Sequence, residues 1–380
     1  MTTHRTQWRL IVLLLVAGLF AAAQFGKLTL SFVQLQDAYG VWAAPMISIV
    51  GVVGILFGVV VGPLVASYGL ARALRGAMLL GGVISVIEAL LPTVPAMFGL
   101  RVIEGFSHLA MVVACPTLMA AASSDHDRPV VMGIWAAFFG ISLALTALIL
   151  PGLLALGGLP AVFLAHGIGM WVVAALLWRV LPEDPQNRPQ RPSFIAAHKR
   201  VYSSPRLIIA GGGFVFYTIL YIALLAVLPP LLDLPIWAVA APPIVSLFGT
   251  FAAGFMARRS APVAIALSGF ALTIFSMIGL TAVAPIEGPV GFLWLALLFA
   301  TMGVIPGASF AMIPHFNDSS EDRARATGGI AQLGNVGTTL GTPIFVAASG
   351  VAGLAGVTVT VVVFSVLGIT VLALLGRRIK

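Results

Sequence analysis

The segment "LRVIEGFSHLAM" places Arg101, Glu104 and His108 at helical steps of three and four inside an otherwise apolar run. At 100° per residue the three fall within an arc of roughly 60° and form one polar stripe. A guanidinium there is suited to an anion, and a carboxyl beside an imidazole is suited to taking up and passing a proton. For His108 a proton-handling role and that of a satisfied core histidine stay equally open. Unneutralised charge in an apolar medium costs several kcal/mol or more, so these groups need partners.

Three further stripes offer them. Gln24, Lys27, Ser31 and Gln34 sit at i, i+3, i+7 and i+10, and Gln332, Asn335, Thr339 and Thr342 repeat that spacing. Tyr217 and Tyr221 at i, i+4 add aromatic groups with a polar tip. Lys27 and Glu104 are each about 13 Å from the same membrane face at 1.5 Å per residue, which lets them pair. Glu88 and Arg101 face each other at similar depth across a short turn, so a second pair is expected. Two positive and two negative side chains make a neutral inventory. Buried pairs add little stability over apolar replacements, so structural glue alone is a weak reason to keep four charges. Lys27–Glu104 is read as functional and Glu88–Arg101 as structural, and His166 is read as structural as well.

The elements that carry these groups are membrane helices. The 380 residues are 60% hydrophobic and 8% charged, against roughly 25% charged in a soluble domain. Apolar segments of about 20 residues fit spanning helices, whereas barrel strands would be about ten residues long and alternating. Twelve are expected, at 9–36, 41–66, 73–92, 95–122, 129–156, 159–180, 206–232, 235–257, 262–284, 289–314, 324–350 and 354–376. "RLIVLLLVAGLFAAAQ" has the look of a secretory signal, but its apolar character runs on to Phe32 and makes it the first span.

Eighteen of the 20 Lys and Arg residues fall in alternate loops, while the opposite loops carry Asp37, Asp233 and Glu287. By the positive-inside rule both termini are cytoplasmic, in a bacterial-type inner (plasma) membrane. The net charge of +8 therefore reports topology and requires no nucleic-acid partner. The sole cysteine, Cys115, permits no intrachain disulfide and reads as packing.

"LPEDPQNRPQRPSFIAAHKRVYSSPR" is the extended polar segment. It divides an N-terminal six-helix bundle, 1–180, from a C-terminal one, 206–380, with 181–205 as cytoplasmic linker. The halves echo each other: "DRPVVMGIWAAFFGISLAL" and "DRARATGGIAQLGNVGTTL" both carry a glycine five residues after the arginine, Gly133 and Gly328. Such duplication is the mark of carriers whose site lies where the halves meet, near the midplane.

On these motifs the whole chain resembles the major facilitator superfamily. "GPLVASYGLARALRG" is similar to that family's loop between helices two and three, with Gly62, Leu64, Gly69 and Arg72 on matching positions. It departs where the family has an acid and then a base, here Ala66 and Ser67, which puts an identical latch in doubt. "RVIEG" resembles the helix-four signature, whose arginine the family ties to proton coupling, with Glu104 where glutamine is common. The antiporter pattern of helix five is incomplete in "LPGLLALGG", which offers Pro151, Gly157 and Gly158. The pattern is also similar to the cyanate and nitroimidazole carrier branch.

The resemblance implies an all-α protein of twelve helices in two pseudo-symmetric bundles, a secondary carrier working by alternating access without a cofactor. A monomer is expected, with a small-molecule substrate, protons and the lipid bilayer as partners. The residues point to a small organic anion or polar metabolite bound by Lys27, Gln24, Arg101, Tyr221 and Asn335, with Glu104 and His108 coupling protons. Proton-antiporting efflux of drugs or toxic compounds is the alternative, and a channel is a further one. An intramembrane enzyme is disfavoured, since no H-E-x-x-H metal pair and no Ser/His/Asp set is present.

Overall fold

A computed structural model describes residues 5–124, 126–184, 193–286 and 288–379. Arg188 and Arg191 of the linker, Glu287 of the opposite loops and Lys380 lie outside the described residues. Every regular element among them is helical.

Among the described residues, nine helices are long and apolar enough to cross a membrane. Two of them are double-length stretches broken at a glycine, and the shorter Ala241–Met256 completes the twelve crossings. Span one is Trp8–Thr29 followed by Phe32–Tyr39. Span three is Leu70–Glu88, span four Val94–Ala121 and span seven Pro205–Leu231. Spans nine and ten are Pro262–Ala282 and Pro289–Phe316. Large apolar side chains such as Phe248, Phe255 and Leu293 stand exposed on the outer faces, where lipid takes the place of water.

The duplicated halves break alike. Phe138–Trp178 turns at Gly157 and Gly158, the latter at φ +64°, and so supplies spans five and six. Ser320–Ile379 turns at Ala352 and Gly353, the latter at φ +54°, and supplies spans eleven and twelve. Only a residue without Cβ takes that left-handed backbone cheaply. The turn between spans five and six is therefore a sufficient reason for Gly158.

Span two departs from the uniform helix expected over 41–66. It runs as Ala43–Ser48, a 3₁₀ turn at Ile49–Gly51, Val52–Phe57 and then Val61–Tyr68. Its glycines weaken the helix but let span eleven come close. A Cβ on Gly54 would strike the Asn335 amide, and one on Gly58 would lie 2.7 Å from Gln332. A second seam joins span five to span eight, where a Cβ on Gly140 would meet Leu247 at 2.6 Å. The short helix Phe194–Tyr202 of the linker lies over the first seam.

Candidate functional site: a buried four-charge cluster

Lys27 stands three residues before the break that ends the first helix of span one, with Ser31 Oγ donating to its carbonyl. Its ammonium donates to Ser85 Oγ at 2.9 Å, Glu88 Oε2 at 2.6 Å and Glu104 Oε1 at 2.8 Å. That uses all three of its protons. The ammonium also lies 5.2 Å from the centre of the Phe163 ring.

Arg101 completes the cluster. Its Nη1 donates to Glu104 Oε2 and faces Glu88 Oε1 at 3.6 Å. Nε donates to Met46 O at 3.1 Å, and Nη2 to Gln24 O at 2.9 Å. All four ionic side chains are at most 2% exposed. Spans one, two, three and four thus converge on one buried, charge-balanced cluster. Its members are not interchangeable: Glu104 accepts from both cations, while Glu88 Oε1 accepts no hydrogen bond at all.

The expected pairing of Lys27 with Glu104 is present, but each cation faces both acids, so two separate pairs are not what forms. Sequence reasoning missed Ser85 and Ser107. Ser85 Oγ accepts a hydrogen bond from Lys27, donates to Phe163 O at 2.9 Å and lies 3.1 Å from His166 Nδ1. His166, read as merely structural, therefore borders the cluster through one hydroxyl, while its Nε2 donates to Phe20 O at 3.0 Å. Ser85 and Glu88 at i, i+3 were the available signal. Ser107 accepts from Gln24 Nε2 at 3.1 Å and donates to Ala77 O at 2.7 Å, and Gln24 Oε1 is left without a partner.

The other expected residues are engaged elsewhere. His108 Nδ1 donates to Ala21 O at 2.9 Å, and the ring sits edge-on to Phe25. Tyr221 bonds Ser246 at 2.7 Å and stacks on Tyr217 within the second half. Asn335 donates to Ala331 O at 2.8 Å on its own helix and packs over Gly54. In the loop after span two, Gly69 sits at φ +111° against the Asp184 carboxyl. Asp184 accepts from Ala71 N at 2.9 Å and Arg72 N at 3.1 Å, so the linker supplies an acid to the loop that has Ala66. The Arg72 guanidinium stacks on Tyr68, Leu64 O accepts from Ser67 Oγ, and Gly62 has open space beside it.

A cavity of about 470 Å³ opens between spans two, three and four. Its walls are apolar, with Phe57, Val61, Phe106 and Leu109 among them, Arg72 near the loop end and Ser107 deeper. Ser107 is thus the step from cavity to Gln24 and the cluster behind it.

Twelve helices in duplicated halves around buried, compensated charge define a polytopic membrane carrier. Residues 13–342 match the family model of the Major Facilitator Superfamily, and the chain belongs to that family. Among solved structures it is similar to the partially occluded inward-open conformation of the xylose transporter XylE from E. coli. That likeness has a TM-score of 0.74 at 13% identity and covers 97% of this chain and 98% of the other, so it speaks for the fold alone. Comparison with curated protein sequences gives no match. The chain is a secondary transporter, not an enzyme.

Proposed function

We propose that the transporter carries a small organic anion together with a proton, by rocking 1–180 against 206–380 about the 181–205 linker in an inner membrane with both termini cytoplasmic. The observation that carries this reading is Lys27 held between Glu88 and Glu104. An anion that engages Lys27 must displace a carboxylate, and the displaced carboxylate is left ionised in a low-dielectric site. Desolvation and loss of the cation both favour its protonation. Anion and proton then enter together, and the cluster stays neutral.

In this scheme Lys27 and Arg101 hold the anionic group, Gln24 orients the cargo by accepting from its hydroxyl or N–H at the spare Oε1, and Glu104 takes the proton, with His108 one turn away. Tyr221 and Asn335 close on the substrate from the second half after exchanging their present partners. Protein acting as a single chain suffices for this cycle. The likeness of its motifs to the cyanate and nitroimidazole carrier branch agrees with a small polar cargo. The test is a thermal-stabilisation screen of purified protein against small organic anions at about pH 6 and about pH 8. Stabilisation by one anion, stronger at the lower pH, is the expected result; stabilisation independent of pH would contradict it.

One observation favours a second reading, proton-exchanging efflux of hydrophobic compounds: the apolar walls of the cavity that ends at Ser107. That reading predicts stabilisation by apolar drugs in the same screen and a resistance phenotype on expression.

A further inference from the structure

The linker helix Phe194–Tyr202 crosses the seam between the halves. Phe194 packs against Phe57 of span two with ring centres 6.2 Å apart, and Val201 joins Val59 and Val60 in a small apolar cluster. Gln332 of span eleven reaches into the same place. Its Nε2 donates to Ile55 O of span two at 2.5 Å, and its Oε1 accepts from Tyr202 Oη at 2.8 Å.

The bond to Ile55 O fixes which end of the amide is which, because a carbonyl oxygen only accepts. The same Nε2 lies 3.0 Å from His198 Nε2. An amide nitrogen has no lone pair to offer, so His198 Nε2 must be the acceptor and carries no proton. The other ring nitrogen, Nδ1, is 2.8 Å from Phe194 O and therefore donates. His198 is a neutral imidazole of one defined tautomer.

We propose that His198 is a positioning residue of the transport cycle: its neutral ring holds Gln332 across the seam between spans two and eleven, and protonating that ring loosens this side of the carrier. A second proton on the ring would set N–H against N–H at Gln332. The amide cannot flip to relieve this, because Ile55 O then meets an oxygen. Histidine is the side chain that changes charge between pH 5 and 8. The charged and titratable groups on the elements packed here are Lys199, Arg200 and Tyr202 on its own helix, Arg206 at the start of span seven, and Asp322, Arg323 and Arg325 at the start of span eleven. Span two carries Tyr68 at its loop end and brings Phe57 against Phe194 beside the ring, and Asp322 is engaged by Arg325 at 2.8 Å and Arg200 at 3.9 Å. The inference uses none of the substrate-binding residues, so it stands or falls separately from the proposed cargo.

The test places a reporter cysteine at Val59, which is 8% exposed in the seam, in a Cys115→Ala background. Labelling by a water-soluble maleimide is followed in purified full-length protein at about pH 5.5 and about pH 8. Comparing His198 with His198→Gln at each pH cancels the thiol's own pH dependence. Gln offers the Gln332 amide a permanent acceptor, so at low pH the parent should label about fivefold faster than His198→Gln, the weight of one hydrogen bond. At high pH the two should match. His198→Arg, checked for a monodisperse elution profile, should label fast at both. Equal labelling of the parent and His198→Gln at low pH would overturn the proposal, as would slow labelling of a folded His198→Arg.

Discussion

The two halves share a fold and differ in what they bury. Among the described residues the first half encloses Lys27, Glu88, Arg101, Glu104 and two histidines, whereas the second encloses hydroxyls and amides such as Thr218, Ser246, Gln332 and Asn335 but no formal charge. Spans four and ten are both 28 residues long, and the glycine breaks at Gly158 and Gly353 are repeated. The backbone is duplicated, but the buried charge lies in one half. Under the proposed cycle, ion handling would fall to the first bundle, and the second would supply neutral hydrogen bonds. Such an asymmetry has a physical advantage. One compact neutral cluster carries the desolvation cost of ions once, whereas charges split between moving bundles would be separated at every turn of the cycle.

The largest asymmetry should appear on removing charge. Lys27→Met leaves two carboxylates to one guanidinium and should destabilise the protein by about 3–5 kcal/mol; the double variant Lys27→Met/Glu88→Gln should recover much of the loss in thermal unfolding. Next comes the division of labour between the acids. Glu104→Gln should abolish proton-driven uptake while substrate exchange persists, and Glu88→Gln, whose Oε1 accepts no hydrogen bond, should retain more of the driven flux. Equal losses for both would blur the distinction drawn between them.

Changes in the second half should be milder. Tyr221→Phe removes the bond to Ser246 and should cost about 1 kcal/mol of stability or affinity, with proton coupling intact. An altered pH profile for this variant would move ion handling into the second half. The smallest effect is expected outside the membrane. Thr6 Oγ1 at 2.5 Å, with His126 and Ser124, holds the Asp127 carboxyl below the usual carboxylate range. Its contribution is present above the unfolded carboxylate range and lost as pH falls through the lowered value. Asp127→Asn should therefore lower the melting temperature slightly at neutral pH, and the difference should vanish in acid.

Much of this was legible in the sequence. The apolar lengths and the one-sided distribution of Arg and Lys gave the twelve crossings, because lipid leaves a chain few alternatives. The stripe on span four and the depth of Lys27 placed the charges at one level. What one-dimensional spacing does not contain is the rotation of each helix about its axis. Lys27 was therefore assigned one acid although it faces two, and Ser85, an unremarkable serine by sequence, was overlooked. Tyr221 and Asn335 show the opposite case: their spacing suggested a shared wall, yet in this conformation each is satisfied within its own half. The linker reads as a spacer by its prolines, and only the fold brings His198 to Gln332.

The most direct test of the account is proton-driven uptake of the stabilising anion into proteoliposomes by Lys27→Ala, compared with the unaltered protein. The account predicts that an inward proton gradient accumulates the anion only when Lys27 is present, with Lys27→Arg restoring part of the flux. Uptake by Lys27→Ala at normal affinity and with normal response to the gradient would contradict it.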